Sequence, residues 1–213
     1  MALPAEKLIT INDRGARVAT TFGSVSSGGA NMVFIKKLTA SSSSTLTFHH
    51  GTSDVVLDST HKEYVFTFNN IHPSNTSGPL FTFQANVVGG ADFNETITST
   101  CFTTYQFEDD SQAGLGYQAS GDQAQGTSFN RLSQNIGAEN NECMAGELHL
   151  FNPSSTTFVK HFMARGVAHA NDDGPTDGFN AGYFNTTAAI DEIQFKMSAG
   201  DIDAGDICLY GIL

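Results

Sequence analysis

Seven histidines and a scatter of acids are the side chains of this chain with the means to do chemistry. Adjacent His49 and His50 would project to opposite faces of a strand, which makes a poor chelate. His149 and His161 are better placed, one on each strand of an expected hairpin, but no third ligand accompanies them. Asp201, Asp203 and Asp206 have the acidic spacing of a calcium loop without its closing bidentate Glu. A turn in which Asp accepts backbone hydrogen bonds accounts for them more simply. Asp172, Asp173 and Asp177 read the same way. Glu108, Asp109 and Asp110 are the acids a glycosidase would draw on, since it needs two flanking a sugar; a solvated run at a strand end is the simpler reading. Neither GxSxG, HExxH nor a phosphate-cradling glycine loop occurs. Asn75, Asn94 and Asn185 head glycosylation triplets, which chance supplies in so Asn- and Thr-rich a chain. The expectation is a non-enzymatic chain with no catalytic, cofactor-binding or metal-ligating residues.

Composition narrows the partners. Ten Lys and Arg against 22 Asp and Glu give a formal net charge of −12, which argues against nucleic acid backbones and anionic membranes. It suits a chain that stays soluble or docks on a basic partner. Charged residues make up only 15% of the total, so the surface is neutral-polar rather than ionic. Cys101, Cys143 and Cys208 are odd in number and widely spaced, without a CxxC pair, and read as reduced thiols made in a cytoplasm. Met1–Lys7 leads quickly into polar sequence, and no apolar run reaches the roughly 18 residues of a membrane helix, so a soluble chain without an export signal is expected.

The elements that would position any site are strands. Tyr64, Phe66 and Phe68 alternate with Val65, Thr67 and Asn69, and Phe81, Phe83, Ala85 and Val87 alternate with Leu80, Thr82, Gln84 and Asn86. The alternation predicts an aromatic face and a largely polar one, with a second sheet to cover the aromatic face. The same pattern predicts strands at Met32–Ala40, Thr45–His49, Thr96–Phe107, Gly146–Phe151, Thr156–Val167, Ala189–Met197 and Gly205–Leu213, with Val55–Leu57 a short apolar run. The result is an all-β, antiparallel, jelly-roll-like β-sandwich of about eight or nine strands. Residues 1–31 read as an N-terminal arm packed on its own domain or on a neighbour, with short strands at Lys7–Ile11 and Arg17–Phe22 and a Gly/Ser loop at Gly23–Ala30. Residues 32–213 form the sandwich domain. Residues 108–145 read as a long loop insertion with helical spacing only at Thr127–Ile136, and Asn171–Gly178 as a second loop.

Several strings carry a resemblance: Leu38–Leu46, Glu63–Pro73, Gly146–Ser155 and the closing Leu209–Ile212. Together they resemble a group of virion structural proteins of tailed bacteriophages, many of them marine, over roughly residues 31–213. The resemblance implies a β-sandwich particle protein on the head exterior or in the tail, decorating or cementing the capsid, with no catalytic residues to carry over. Its partners would be other virion proteins (major capsid or tail proteins), and its place the virion, assembled in the host cytoplasm. The first 30 residues depart from the pattern, in which the first strand begins near the N-terminus. A homo-oligomer, with a trimer the favoured form, suits such a particle because one surface patch serves every copy. The alternative is a tail-fibre or receptor module reading a host glycan, with Tyr117, Phe179 and Tyr183 in loops as stacking aromatics. The absence of Trp counts against that alternative.

Overall fold

In the computed structural model, residues 9–11, 17–19 and 32–213 are described, and the chain divides into two compact units, 1–31 and 32–213. In the first unit β1 (Ile9–Ile11) and β2 (Arg17–Ala19) form an antiparallel pair with Thr10 opposite Val18. The expected Gly23–Ala30 loop, and what the arm packs on, lie outside the described residues.

The second unit is an all-β antiparallel sandwich of thirteen strands in two unequal sheets. Nine of them match the expected set: β3 (Met32–Ser43), β4 (Leu46–His49), β5 (Glu63–Pro73), β6 (Phe81–Val87), β7 (Ile97–Gln106), β11 (Met144–Phe151), β12 (Lys160–Ala170), β14 (Ile190–Met197) and β15 (Ile202–Ile212). The other four are β8 (Ala113–Tyr117), β9 (Gln123–Gly126), β10 (Asn130–Arg131) and β13 (Gly174–Phe184). Residues 108–145 are therefore partly sheet, and the spacing at Thr127–Ile136 is not helical. There Leu132 and Ile136 reach the core from irregular backbone, tied by hydrogen bonds from their N–H groups to the Phe81 and Pro79 carbonyls. The Asn171–Gly178 loop shrinks to a turn, because β13 begins at Gly174 and pairs along its length with β12.

The large sheet runs β3-β15-β5-β11-β12-β13-β7-β8, with β9 also on β7; the small sheet runs β10-β6-β14-β4. β5 and β6 are consecutive but lie in different sheets, so the Ser74–Leu80 link carries the chain across the sandwich rather than closing a hairpin. That crossing brings the two aromatic faces together. Phe66 and Phe68 of the large sheet meet Phe48, Phe81 and Phe195 of the small one at ring-centroid distances of 5.2–5.4 Å in edge-on pairs. Phe83 meets Phe162 and Phe184 at 5.1 and 6.1 Å further along. Rings at such offsets gain quadrupole attraction beyond the area they bury.

At Gly205 and Gly166 neighbouring backbone leaves no room for a side chain. Gly205 has φ +121, and a Cβ there would sit 2.6 Å from the Asn70 carbonyl oxygen; the register of β5 on β15 slips at this point. A Cβ on Gly166 would come 2.2 Å from the Leu132 carbonyl oxygen, so the bare strand lets the 132–136 segment lie against β12.

Tyr64 closes one end of the core. Its hydroxyl donates to the Asp58 carbonyl at 3.0 Å, and burial, followed by the charge of Asp58, pushes its phenol up to about 12. The folded protein then holds this proton to higher pH than the unfolded chain, whose tyrosine titrates near 10. The stabilisation is complete below about pH 10 and is lost as the pH rises toward 12, by on the order of 2–3 kcal/mol. Urea unfolding of Tyr64→Phe across that range is expected to show a shallower alkaline decline than the parent. Equal slopes would mean that Tyr64 contributes nothing to it.

Candidate functional site

The outer faces of both sheets carry surface features, and the residues singled out by type distribute over them without converging. His49 pairs with Glu192 at 2.6 Å while His50 accepts the Leu57 N–H at 3.2 Å, as expected of neighbours pointing opposite ways. His149 and His161 share the outer face of the large sheet, but His149 is engaged by Glu63 at 2.5 Å and His161 packs on Tyr183. Asp201, Asp203 and Asp206 are not gathered in a loop, because β15 starts at Ile202 and spreads them along a strand. Asp203 accepts from Ser42, and Asp206 binds Lys37 at 3.1 Å and also Thr39. The Lys37 and Thr39 contacts hold the Asp206 carboxyl below its usual range, Thr39 contributing most. Asp172 and Asp173 are exposed in a turn, whereas Asp177 lies in β13 and receives a bidentate contact from Arg165. Glu108 pairs with His169 at 3.4 Å, Asp109 accepts the Ser111 N–H at 2.9 Å in a turn, and Asp110 takes the Gln106 amide. No group of three or more His, Cys, Asp or Glu side chains gathers as a metal site among the described residues. The cysteines are free.

Tyr117, Phe179 and Tyr183 stand on strands rather than in loops: Tyr117 on β8, the other two on β13. Register explains what each can do. Arg165, Phe179, Phe102 and Tyr117 occupy one row across β12, β13, β7 and β8. Phe102 and Phe179 stack with centroids 4.7 Å apart and planes 7° from parallel, and the Arg165 guanidinium lies 4.9 Å over Phe179. Both faces of Phe179 are thereby taken, so a sugar ring cannot lie on it. Tyr117 remains exposed, its hydroxyl donating to Asp122, which holds the phenol above its usual range.

Beside that row runs a trough. Its floor is Met163, Ala181 and Thr100, opposite one another on β12, β13 and β7, and its far wall is Phe151, His161 and Tyr183. Two adjoining hollows of about 320 and 480 Å³ make up the trough. Met163 is 52% exposed and Phe102 42% exposed. Such an apolar strip on an outer sheet face is a candidate contact surface. The sequence carried a signal for it: along β12 the outward residues Met163, Arg165 and Val167 are bulkier than the inward Ala164, Gly166 and Ala168.

A cleft of about 660 Å³ lies against β10, β6 and β14 of the small sheet, with β9 of the large sheet on its wall. Arg131 faces Thr82, and Thr82 faces Lys196, so the two cations flank one threonine in a single row. Ser120, Ser128 and Ser198 stand around them with Asp122 on the wall. No sequence motif announces this site, because its residues lie far apart in the chain and only strand register joins them.

No family model, curated protein or solved structure matches this chain.

Proposed function

We propose that the protein is a non-enzymatic structural component of a tailed-phage particle, docking through the outer face of its large sheet onto capsid or tail proteins and onto further copies of itself, as a trimer. The observation that carries this reading is the apolar trough across β11, β12, β13 and β7, which nothing among the described residues covers. Its rim is closed by internal pairs, Arg165 with Asp177 and His149 with Glu63, so the surface offers little free charge. An interface centre depleted of charge and rich in aromatic and Met side chains has this composition. The strings resembling virion proteins lie on or beside this sheet, at β3, β5, β11 and the end of β15.

The test is Met163→Glu introduced into the phage genome that encodes the chain. An exposed position tolerates such a change within about 0.5 kcal/mol, so the variant is expected to fold with an unaltered unfolding midpoint. It is expected to be missing from purified particles, where quantitative mass spectrometry finds the parent in a copy number matching head or tail symmetry. Absence of the parent from particles overturns the virion assignment; normal incorporation of the variant overturns the trough as the docking surface.

A second reading, a tail-fibre or receptor module, is favoured by the exposed Tyr117 ring. A glycan array on the full chain separates the two, with binding lost in Tyr117→Ala as the result expected of a module.

A further inference from the structure

The cations of this chain are few, and their partners differ. Lys37 and Arg165 are neutralised by Asp206 and Asp177. Arg131 and Lys196 are positioned by neutral groups instead. Arg131 donates to the Gln134 side-chain carbonyl at 3.0 Å, and the Lys196 ammonium sits 4.0 Å over the Phe129 ring. Neither has a carboxylate partner among the described residues, so no ion pair offsets either cation. In a protein of net charge −12, two such cations in one row of one cleft are a departure that packing does not explain.

We infer that the cleft between β10, β9 and β14 binds a monoanionic, polyhydroxylated ligand, a carboxylated sugar such as a uronic acid. Charge sets the anion: Arg131 and Lys196 against Asp122 leave one net positive charge, which suits a single carboxylate and opposes a polyphosphate. The surroundings set the hydroxyls. The Ser120 and Ser128 hydroxyls have no hydrogen-bond partner among the described residues, and the Ser198 oxygen accepts the Leu80 N–H at 2.9 Å while its own proton stays free to donate. Spacing sets the size. Arg131 and Lys196 are two strand intervals apart, roughly 9–10 Å at the backbone, so a carboxylate held by one leaves the other to meet ring hydroxyls. The volume falls in the roughly 300–1,000 Å³ range of small-molecule sites. Arg131 makes the charge-assisted bonds, in a partly desolvated setting that lowers its pKa and strengthens attraction to an anion.

The experiment is titration of the isotope-labelled full chain with glucuronate, followed by backbone amide NMR, with glucose and acetate as parallel arms. Glucuronate is expected to give saturable shifts at Thr82, Ser128, Arg131 and Lys196, weakened about tenfold in Lys196→Gln and weakened again by salt. Glucose is expected to leave these amides unmoved, and acetate to bind more weakly than glucuronate. Equal binding of glucose removes the anion requirement, and equal binding of acetate removes the sugar; either result overturns the inference, as does silence at these residues. Salt dependence in the unmodified protein tests the charge requirement without a variant that has to fold. The trough shares no lining residue with this cleft, so failure here leaves the docking surface standing, and failure of docking leaves this cleft.

Discussion

Truncation of Phe195 to alanine is expected to lower the unfolding free energy by about 3–5 kcal/mol, because it removes the ring on which both sheets meet. Phe195 is fully buried in β14 and touches Phe48 and Phe81 of its own sheet and Phe66 and Phe68 of the other. It lies nearly parallel to Phe81, 14° apart, and edge-on to the other three. The sheets are held apart by the remaining rings on all sides, so the space left behind does not collapse. The loss is therefore transfer energy plus an open cavity. Urea unfolding should show a reduced midpoint at unchanged slope. A loss below about 1.5 kcal/mol, the range of tolerated core repacking, would mean that the neighbours close the gap and that Phe195 is not the central joint.

Gln84→Leu is the second substitution with a large expected effect, although it puts an apolar side chain at a fully buried position. The Gln84 amide nitrogen lies 3.1 Å from each of three carbonyls, those of Glu95, Thr127 and Ser128, while its oxygen accepts the Ala85 N–H at 2.8 Å. Two protons thus tie two separate segments to the outer face of β6. Leucine would leave those carbonyls without a donor, at about 1–3 kcal/mol for each one that water cannot reach. The expected result is a loss of several kcal/mol, with hydrogen exchange at residues 127–131 accelerated more than in the large sheet. Uniform acceleration, or a neutral stability change, would show that the two segments are held by other contacts.

That same residue shows how far the chain could be read unaided. Alternation at Phe81, Phe83 and Ala85 identified the strand and its core face correctly, because a period of two is a local property. It assigned Thr82, Gln84 and Asn86 to an open polar face, and all three are buried. Polar side chains can be buried when distant backbone supplies partners, and nothing in the local pattern reveals segments 95 and 127–128 arriving there. β13 was missed for a related reason: Asp172-Asp173-Gly174-Pro175 has turn chemistry, but a strand starting with Gly-Pro is stabilised by eleven paired positions on β12. The candidate sites divide the same way. The cleft is a product of register, joined only by the pairing of β10-β6-β14, whereas the trough leaves a trace in the bulky outward residues of β12 and owes its extent to the pairing of β11-β12-β13-β7.

The position of β15 has a consequence for how the molecule comes into being. It sits between β3 and β5, with Ile202 beside both Ser43 and Pro73, and among the described residues β3 has no other neighbour in the large sheet. Until β15 has been translated, β3 therefore waits with nowhere to dock in the large sheet, and the edge of β5 on that side stays unpaired. Closure over so long a stretch is slow and leaves sticky strands open to neighbouring nascent chains. A cell producing this protein in bulk would need to shelter the earlier strands until β15 has been made.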